Sequence, residues 1–281
     1  MQQPLSIIFI HVGATDWLLP AMTQARRSNP KSRVILISEQ GTKVPSQCEF
    51  YDIAHYFKEA AEITRTYQHF SNYDPGFELF CFQRWMVLHE FMVKEGMSRC
   101  FHADSDVLIF SDLSEAGELF SSCDMTLSKG HCGHNAFINN REVLRSFCAF
   151  TRDILSQDKE VQISGVLSDA TLQSLGMKKE IFPLNDMRLL SLFRENEDFL
   201  IGDTALILNA GTFDHDVNIT QGGFDLFEGT KKFTWREGKP YGFNSRLQQE
   251  VLFHTIHFKG PAKPLLLKVC GEREAKFTVR Q

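Results

Sequence analysis

The chain has 281 residues, 43% of them hydrophobic and 23% charged, with 30 Lys and Arg against 35 Asp and Glu for a net charge of −5. That composition suits a globular fold able to bury its own core without staples, and it argues against coating nucleic acid or lying on an anionic membrane by charge alone. The longest early apolar run, Leu5 to Val12, is far shorter than the ~20 residues of a membrane span and lacks the flanks of a secretory signal. Seven scattered cysteines, an odd number, point to a reduced, cytoplasmic protein.

In chain order, Ser6 to Val12 reads as a strand covered on both faces. Pro20 suits the first turn of a helix running to about Arg27, and Arg33 to Ser38 is a second buried strand. Strand, helix and strand in so short a span predict a βαβ unit and a parallel sheet. The strongest helix is expected over Phe77 to Lys94, ended by Gly96. Short strands follow at Cys100 to Ala103, Val107 to Phe110, Asp124 to Leu127 and Ala136 to Ile138, with a helix over Glu142 to Leu155. From about Asp203 the pattern is irregular and rich in glycine, up to an expected helix over Ser245 to Phe253. No Pro/Gly/Ser-rich linker divides the chain, so a single α/β domain is expected over residues 1–281.

Three segments carry candidate chemistry. Asp104-Ser105-Asp106 follows a buried strand, and two carboxylates one residue apart can share a hard divalent cation, although Asp and Ser are also ordinary turn formers. Ligands in open α/β sheets sit at the carboxyl ends of strands, where this segment falls. The second segment is His257-Phe258-Lys259-Gly260-Pro261-Ala262-Lys263-Pro264. Its glycine admits close approach of a phosphate, its Lys263 offers a point charge to a diphosphate, and His257 offers a nitrogen to a metal. His131-Cys132-Gly133-His134 contains zinc ligands but lacks a second pair at any usual spacing, so it reads as a Gly-centred loop lining a pocket. Arg84 sits within an apolar helix face, as a snorkelling core residue or as a cation aimed at phosphate or sugar. Asp169 follows Ser168 at an expected helix start, where an N-cap is equally natural.

Together these segments resemble the retaining GT-A glycosyltransferases of family 8, the group of glycogenin and bacterial lipopolysaccharide galactosyltransferases. The Arg-bearing helix, the Phe101 to Val107 acidic strand, Ser168-Asp169-Ala170-Thr171-Leu172 and the His257 to Pro264 motif occur in the family's order. The resemblance implies a GT-A fold: Rossmann-like α/β, with a mixed, mostly parallel sheet flanked by helices. It implies a nucleotide-binding half over about 1–110, an acceptor and catalytic half over 111–264, and a C-terminal tail over 265–281. The implied reaction is transfer of a sugar, with retention, from a UDP-sugar to a hydroxyl of a glycan or lipid-linked acceptor, as in polysaccharide biosynthesis.

Carried across residue by residue, the resemblance implies that Asp104, Asp106 and His257 hold Mn²⁺ or Mg²⁺ on the diphosphate. Ser105, Gly260 and Lys263 would meet the donor, Arg84 its sugar or a phosphate, and His11, Val12 and Gly13 the base and ribose. Gly133 or Asn135 would face the sugar, and Asp169 would stand beside the anomeric carbon. The chain departs from the family after the first strand, where His11 to Trp17 lacks the Asp-x-Asn nucleotide pattern. It departs again at Asp169, the one acid left of an Asp-Gln-Asp segment, and at Leu265 in place of Trp. Rival expectations are a sugar-nucleotide-binding relic without catalysis and a metal-dependent nucleotidyltransferase. The basic tail from Lys268 onward suggests peripheral contact with the inner face of a membrane, or simply a solvated terminus.

Overall fold

Strand β1 (Ile7–Ile10) pairs in parallel with β2 (Val34–Ser38), and β2 with β3 (Glu49–Asp52). Every residue of β1 and β2 is buried, as their unbroken apolar runs require of strands covered on both faces. Helix Leu18–Ser28 links β1 to β2 and completes the expected βαβ unit. The chain later returns to the other side of β1 with β4 (Cys100–Ala103), again in parallel, so the order reverses between β1 and β4. The computed structural model describes residues 4–69, 73–157, 184–218 and 222–278.

These residues form two units interleaved in sequence. One comprises Met1–Asp52, Arg99–Asn139 and Leu200–Gln281, and the other Ile53–Ser98 and Asn140–Phe199.

The first unit holds every strand described. After β5 (Val107–Ile109) come β6 (Met125–Leu127), β7 (Asn135–Ile138) and β8 (Ile201–Asp203). A seven-stranded sheet has the order β3-β2-β1-β4-β7-β6-β8, with β7 antiparallel to both neighbours and the other pairs parallel. The mixed, mostly parallel sheet is flanked within this unit by helices Leu18–Ser28 and Lys263–Thr278. Four of the chain's 25 phenylalanines cluster here: Phe101, Phe120 and Phe213 all pack around Phe137, with ring centroids 4.7, 5.6 and 5.4 Å from it.

The glycine-rich stretch forms β9 (Gly211–Phe213), β10 (Leu226–Phe227), β11 (Thr230–Lys231), β12 (Thr234–Arg236), β13 (Lys239–Asn244) and β14 (Gln249–His257). The helix expected over Ser245 to Phe253 is a β-turn leading into β14. Val251, Phe253 and Thr255 are buried while Leu252 and His254 are less so, a period of two that selects a strand. Glu228-Gly229 and Glu237-Gly238 each have positive φ at both residues, the geometry that closes two-residue hairpins. At Gly211 a Cβ would run into the His254 ring, so a side chain there would displace β9 from β14.

The second unit is helical. Helix Pro75–Lys94 opens with Asp74 as N-cap, its Oδ1 accepting from the Phe77 N–H at 2.9 Å, and with Pro75 in the first turn. It ends where Gly96 takes φ +65°. Gly96 N–H donates to the Val93 carbonyl and Met97 N–H to that of Met92, the paired bonds that close a helix C-terminus. Trp85 and Phe193 both pack edge-on against Phe147, tying this helix to Arg141–Leu155 and Asp186–Asn196. Among the described residues no helix is long and apolar enough to cross a membrane.

Candidate active site

The site lies in the first unit, at the carboxyl ends of β1 and β4, where the strand order reverses. Such a switch point opens a crevice outside the sheet, because the connections leave in opposite directions. His11 follows β1, and Asp104 follows β4. The Asp104 N–H donates to the His134 carbonyl at 2.8 Å, and the Val107 N–H closes the turn on the Asp104 carbonyl at 3.1 Å.

Sheet register brings the two motifs together. β5 runs antiparallel to the end of β14 with Val107 opposite His257, and the Phe258 N–H donates to the Asp106 carbonyl at 3.0 Å. Asp106 Oδ1 therefore lies 3.5 Å from His257 Nε2, while its Oδ2 lies 3.2 Å from Lys263 Nζ. The Lys263 ammonium also sits 4.8 Å from the centre of the Trp17 ring, whose face attracts a cation. Asp104 Oδ1 is 3.4 Å from His102 Nε2.

The protonation pattern decides what this arrangement can hold. His257 Nδ1 lies 2.6 Å from the His215 carbonyl, which accepts only, so Nδ1 carries the proton and donates. Burial, then the neighbouring His134, lowers the His257 pKa against the pull of Asp106 and favours the neutral ring. Its Nε2 lone pair then faces Asp106 Oδ1, a buried oxygen with no hydrogen-bond partner. Two acceptors aimed at each other without a proton between them leave a position suited to a cation. A backbone carbonyl on the far nitrogen is the usual contact that orients a metal-ligating histidine. Asp106 and His257 thus fit a divalent ion, whereas Asp104, with its Oδ1 toward His102, does not lie within the same short reach of both.

The remaining expected residues are placed as follows. His11 donates its N–H to the Ile37 carbonyl at 3.2 Å; burial lowers its pKa, and Asp104, Lys263 and Asp106 all act on it electrostatically. Val12 is half-buried, and Gly13 takes φ +82° and donates to Glu39 Oε2 at 2.9 Å. Ser105 occupies the acidic turn. Gly133 is buried, and Asn135 is buried with Oδ1 accepting from Thr204 Oγ1 at 2.7 Å and Nδ2 donating to the Asp214 carbonyl at 3.2 Å. Gly260 takes φ +54° and opens a 3₁₀ turn, Gly260–Ala262, immediately before helix Lys263–Thr278. That helix takes up most of the expected tail. Arg84 belongs to the second unit, where its Nη2 donates to Asp186 Oδ2 at 2.7 Å and Trp85 Nε1 approaches the same oxygen at 3.3 Å. Asp169 lies outside the described residues.

The sequence reading passed over the residues beneath the site. Asp214 accepts the His257 N–H on Oδ2 at 3.2 Å and the Lys231 ammonium on Oδ1 at 2.5 Å. Its carbonyl takes His134 Nε2 at 3.0 Å, and the His134 ring stacks on His257 at 3.8 Å. Asp214-His215-Asp216 stands in the stretch that looked irregular, so only its density of titratable groups marked it.

No family profile and no curated protein sequence matches the chain. Solved structures similar to it include apo mouse xyloside xylosyltransferase 1, at 14% identity, covering 74% of this chain and 87% of that one with a TM-score of 0.44. An active-site mutant of LgtC is 10% identical, covering 95% and 96% of the two chains with a TM-score of 0.45. The apo bifunctional glycosyltransferase WbbM is 12% identical with a TM-score of 0.48; the match covers 94% of this chain but only 47% of WbbM.

Proposed function

We propose that the chain is a metal-dependent, retaining glycosyltransferase that moves a sugar from a nucleotide-diphosphate donor, UDP first among them, to a hydroxyl of a glycan or lipid-linked acceptor. The observation that carries this reading is the pair of opposed acceptors, Asp106 Oδ1 and His257 Nε2, with Lys263 on the second carboxylate oxygen. Asp104 and Asp106 against one lysine leave the site negative, so a diphosphate would be repelled unless a divalent cation reversed the sign. Asp104, Asp106 and His257 would hold the Mn²⁺ or Mg²⁺, which would supply Lewis-acid stabilisation of the charge developing on the leaving diphosphate.

The chain's own residues do the rest. Asp106 and His257 are held by the β5–β14 register, so they meet the ligand without reorganising. Lys263, steadied over Trp17, adds a second positive contact to the departing phosphate. Gly260, with no side chain and a positive φ, turns the backbone so that a phosphate can approach Lys263. His11, Val12 and Gly13 would line the base and ribose, Ser105 the donor, and Gly133 or Asn135 the sugar. The family resemblance, rather than their place in the fold, assigns Arg84 to the sugar or a phosphate and Asp169 to the oxocarbenium-like anomeric carbon.

The test is a thermal-shift panel of nucleotides and nucleotide sugars, each with Mn²⁺ and with chelator. A ligand at about 100 times its Kd that binds only the folded state adds ~2.7 kcal/mol, a shift of a few degrees. A metal-dependent shift with UDP or a UDP-sugar is expected, and it should vanish in His257→Ala. A folded protein that shifts with none of them contradicts the reading.

A further inference from the structure

We propose that Cys132, His134 and His215 form a zinc site separate from the Asp104–Asp106–His257 centre. The sequence gives only Cys132-Gly133-His134; the fold supplies the missing ligand from 81 residues further along the chain, counted from His134. A tight turn prepares the first two. Lys129 (φ +52°) and Gly130 (φ +72°) reverse the chain between Ser128 and Cys132, which exchange backbone hydrogen bonds at 2.8 and 3.0 Å. Asp203 pins that turn by accepting the Lys129 N–H at 2.8 Å.

One ligand atom from each of the three residues lies within 4.8 Å of the other two, and Cys132 Sγ is 3.0 Å from His134 Nδ1. Opening that contact by a few tenths of an ångström accommodates zinc at its ordinary ~2.0–2.3 Å bond lengths. Each imidazole is oriented from behind. His134 Nε2 is held 3.0 Å from both the Asp214 carbonyl and Asn135 Nδ2, which leaves Nδ1 toward Cys132, and Ser128 Oγ lies 3.0 Å from His215 Nδ1. These are the outer contacts that fix the tautomer of a ligating histidine. One thiolate with two imidazoles suits zinc rather than Mn²⁺ or Mg²⁺.

Three protein ligands leave a fourth position. Cys132 and His134 are buried, but His215 lines a cavity of about 110 Å³ shared with Lys129, Asp214 and Lys231, through which a water or an incoming ion has access. Because the His134 ring stacks on His257, zinc here would fix the platform beneath the other centre.

The experiment uses the full chain carrying Asp106→Ala, so that zinc taken up by the other centre is not counted. After equilibration with excess zinc and gel filtration, one zinc per chain is expected by mass spectrometry. Substitution by Co²⁺ should give tetrahedral d–d bands in the visible and a thiolate-to-cobalt charge-transfer band in the near ultraviolet. Cys132→Ser should abolish the charge-transfer band, and His215→Ala, a change at a half-buried position, should release the zinc. Near-ultraviolet circular dichroism checks folding of both variants. No retained zinc in the parent protein, or cobalt bands without a thiolate component, overturns the proposal whatever the variants do, and leaves Cys132 and His134 as a hydrogen-bonded pair. Failure of the donor-site reading leaves this result untouched.

Discussion

Replacing Asp106 with alanine is expected to lower turnover of the nucleotide sugar by at least about 10³-fold, the scale of losing a charge-stabilising group at a leaving oxygen. The effect is this large because Asp106 does two things at once. Its Oδ1 faces the His257 lone pair and its Oδ2 faces Lys263, so the residue organises both positive contacts that a diphosphate would need. Asp104, His257 and Lys263 would remain, but the site would have lost the carboxylate that faces both His257 and Lys263 and half of the negative charge that recruits a divalent ion. The fold should survive the change, because the backbone carbonyl of Asp106 keeps its bond to the Phe258 N–H, and Lys263, the partner left behind, is partly exposed and can be solvated. Asp106→Asn, which keeps the shape and loses the charge, should fall nearly as far. The measurement is the rate of free nucleoside diphosphate release from the donor, with and without acceptor, alongside a circular dichroism spectrum. Folded Asp106→Ala protein with near wild-type turnover would remove Asp106 from the machinery.

The second large effect concerns stability. Lys231→Met should cost roughly 3–5 kcal/mol, the range seen when one partner of a buried ion pair is removed. Lys231 and Asp214 are both almost wholly shielded from water, and the ammonium also donates to the Asp216 carbonyl at 2.7 Å. The lysine lies 5.7 and 5.9 Å from the Phe224 and Phe253 ring centres, apolar surroundings that bring no charge of their own. Without Lys231, an ionised carboxylate would sit uncompensated under the site. The double variant Lys231→Met with Asp214→Asn should therefore lose less than the sum of the two single changes, which separates a charge effect from lost packing. Urea unfolding midpoints provide the comparison. A loss under ~1 kcal/mol for Lys231→Met would show that the pair contributes little.

How much of this was legible in the sequence depended on whether a signal was local. The βαβ unit and helix Pro75–Lys94 were legible because apolar runs, Asp74-Pro75 and Gly96 state their geometry within a few residues. The acidic turn and the His257 motif were legible as chemistry, but their meeting depends on the β5–β14 register, which neither segment encodes alone. The last strand was misread because Val251, Leu252 and Phe253 form a continuous apolar run. Only the alternation of burial with Thr255 and His257 reveals its period. Glu228-Gly229 and Glu237-Gly238 were the missed turn signals, since glutamate is an uncommon residue at positive φ. The support beneath the site was least visible. Asp214, His215 and Lys231 act through contacts with residues 17 to 87 positions away, and no local pattern announces a partner at that distance.

The central claim is that Asp106 and His257 hold a divalent cation together with a nucleoside diphosphate. Electron paramagnetic resonance of Mn²⁺ measures this directly, because the sharp signal of the hydrated ion is lost when the ion is bound. Titration of the chain in the presence of UDP should show one tight site, weakened at least tenfold in His257→Ala and in Asp106→Asn. Full retention of the free-ion signal with the wild-type protein and every nucleotide tried, or identical binding by the two variants, would contradict the account.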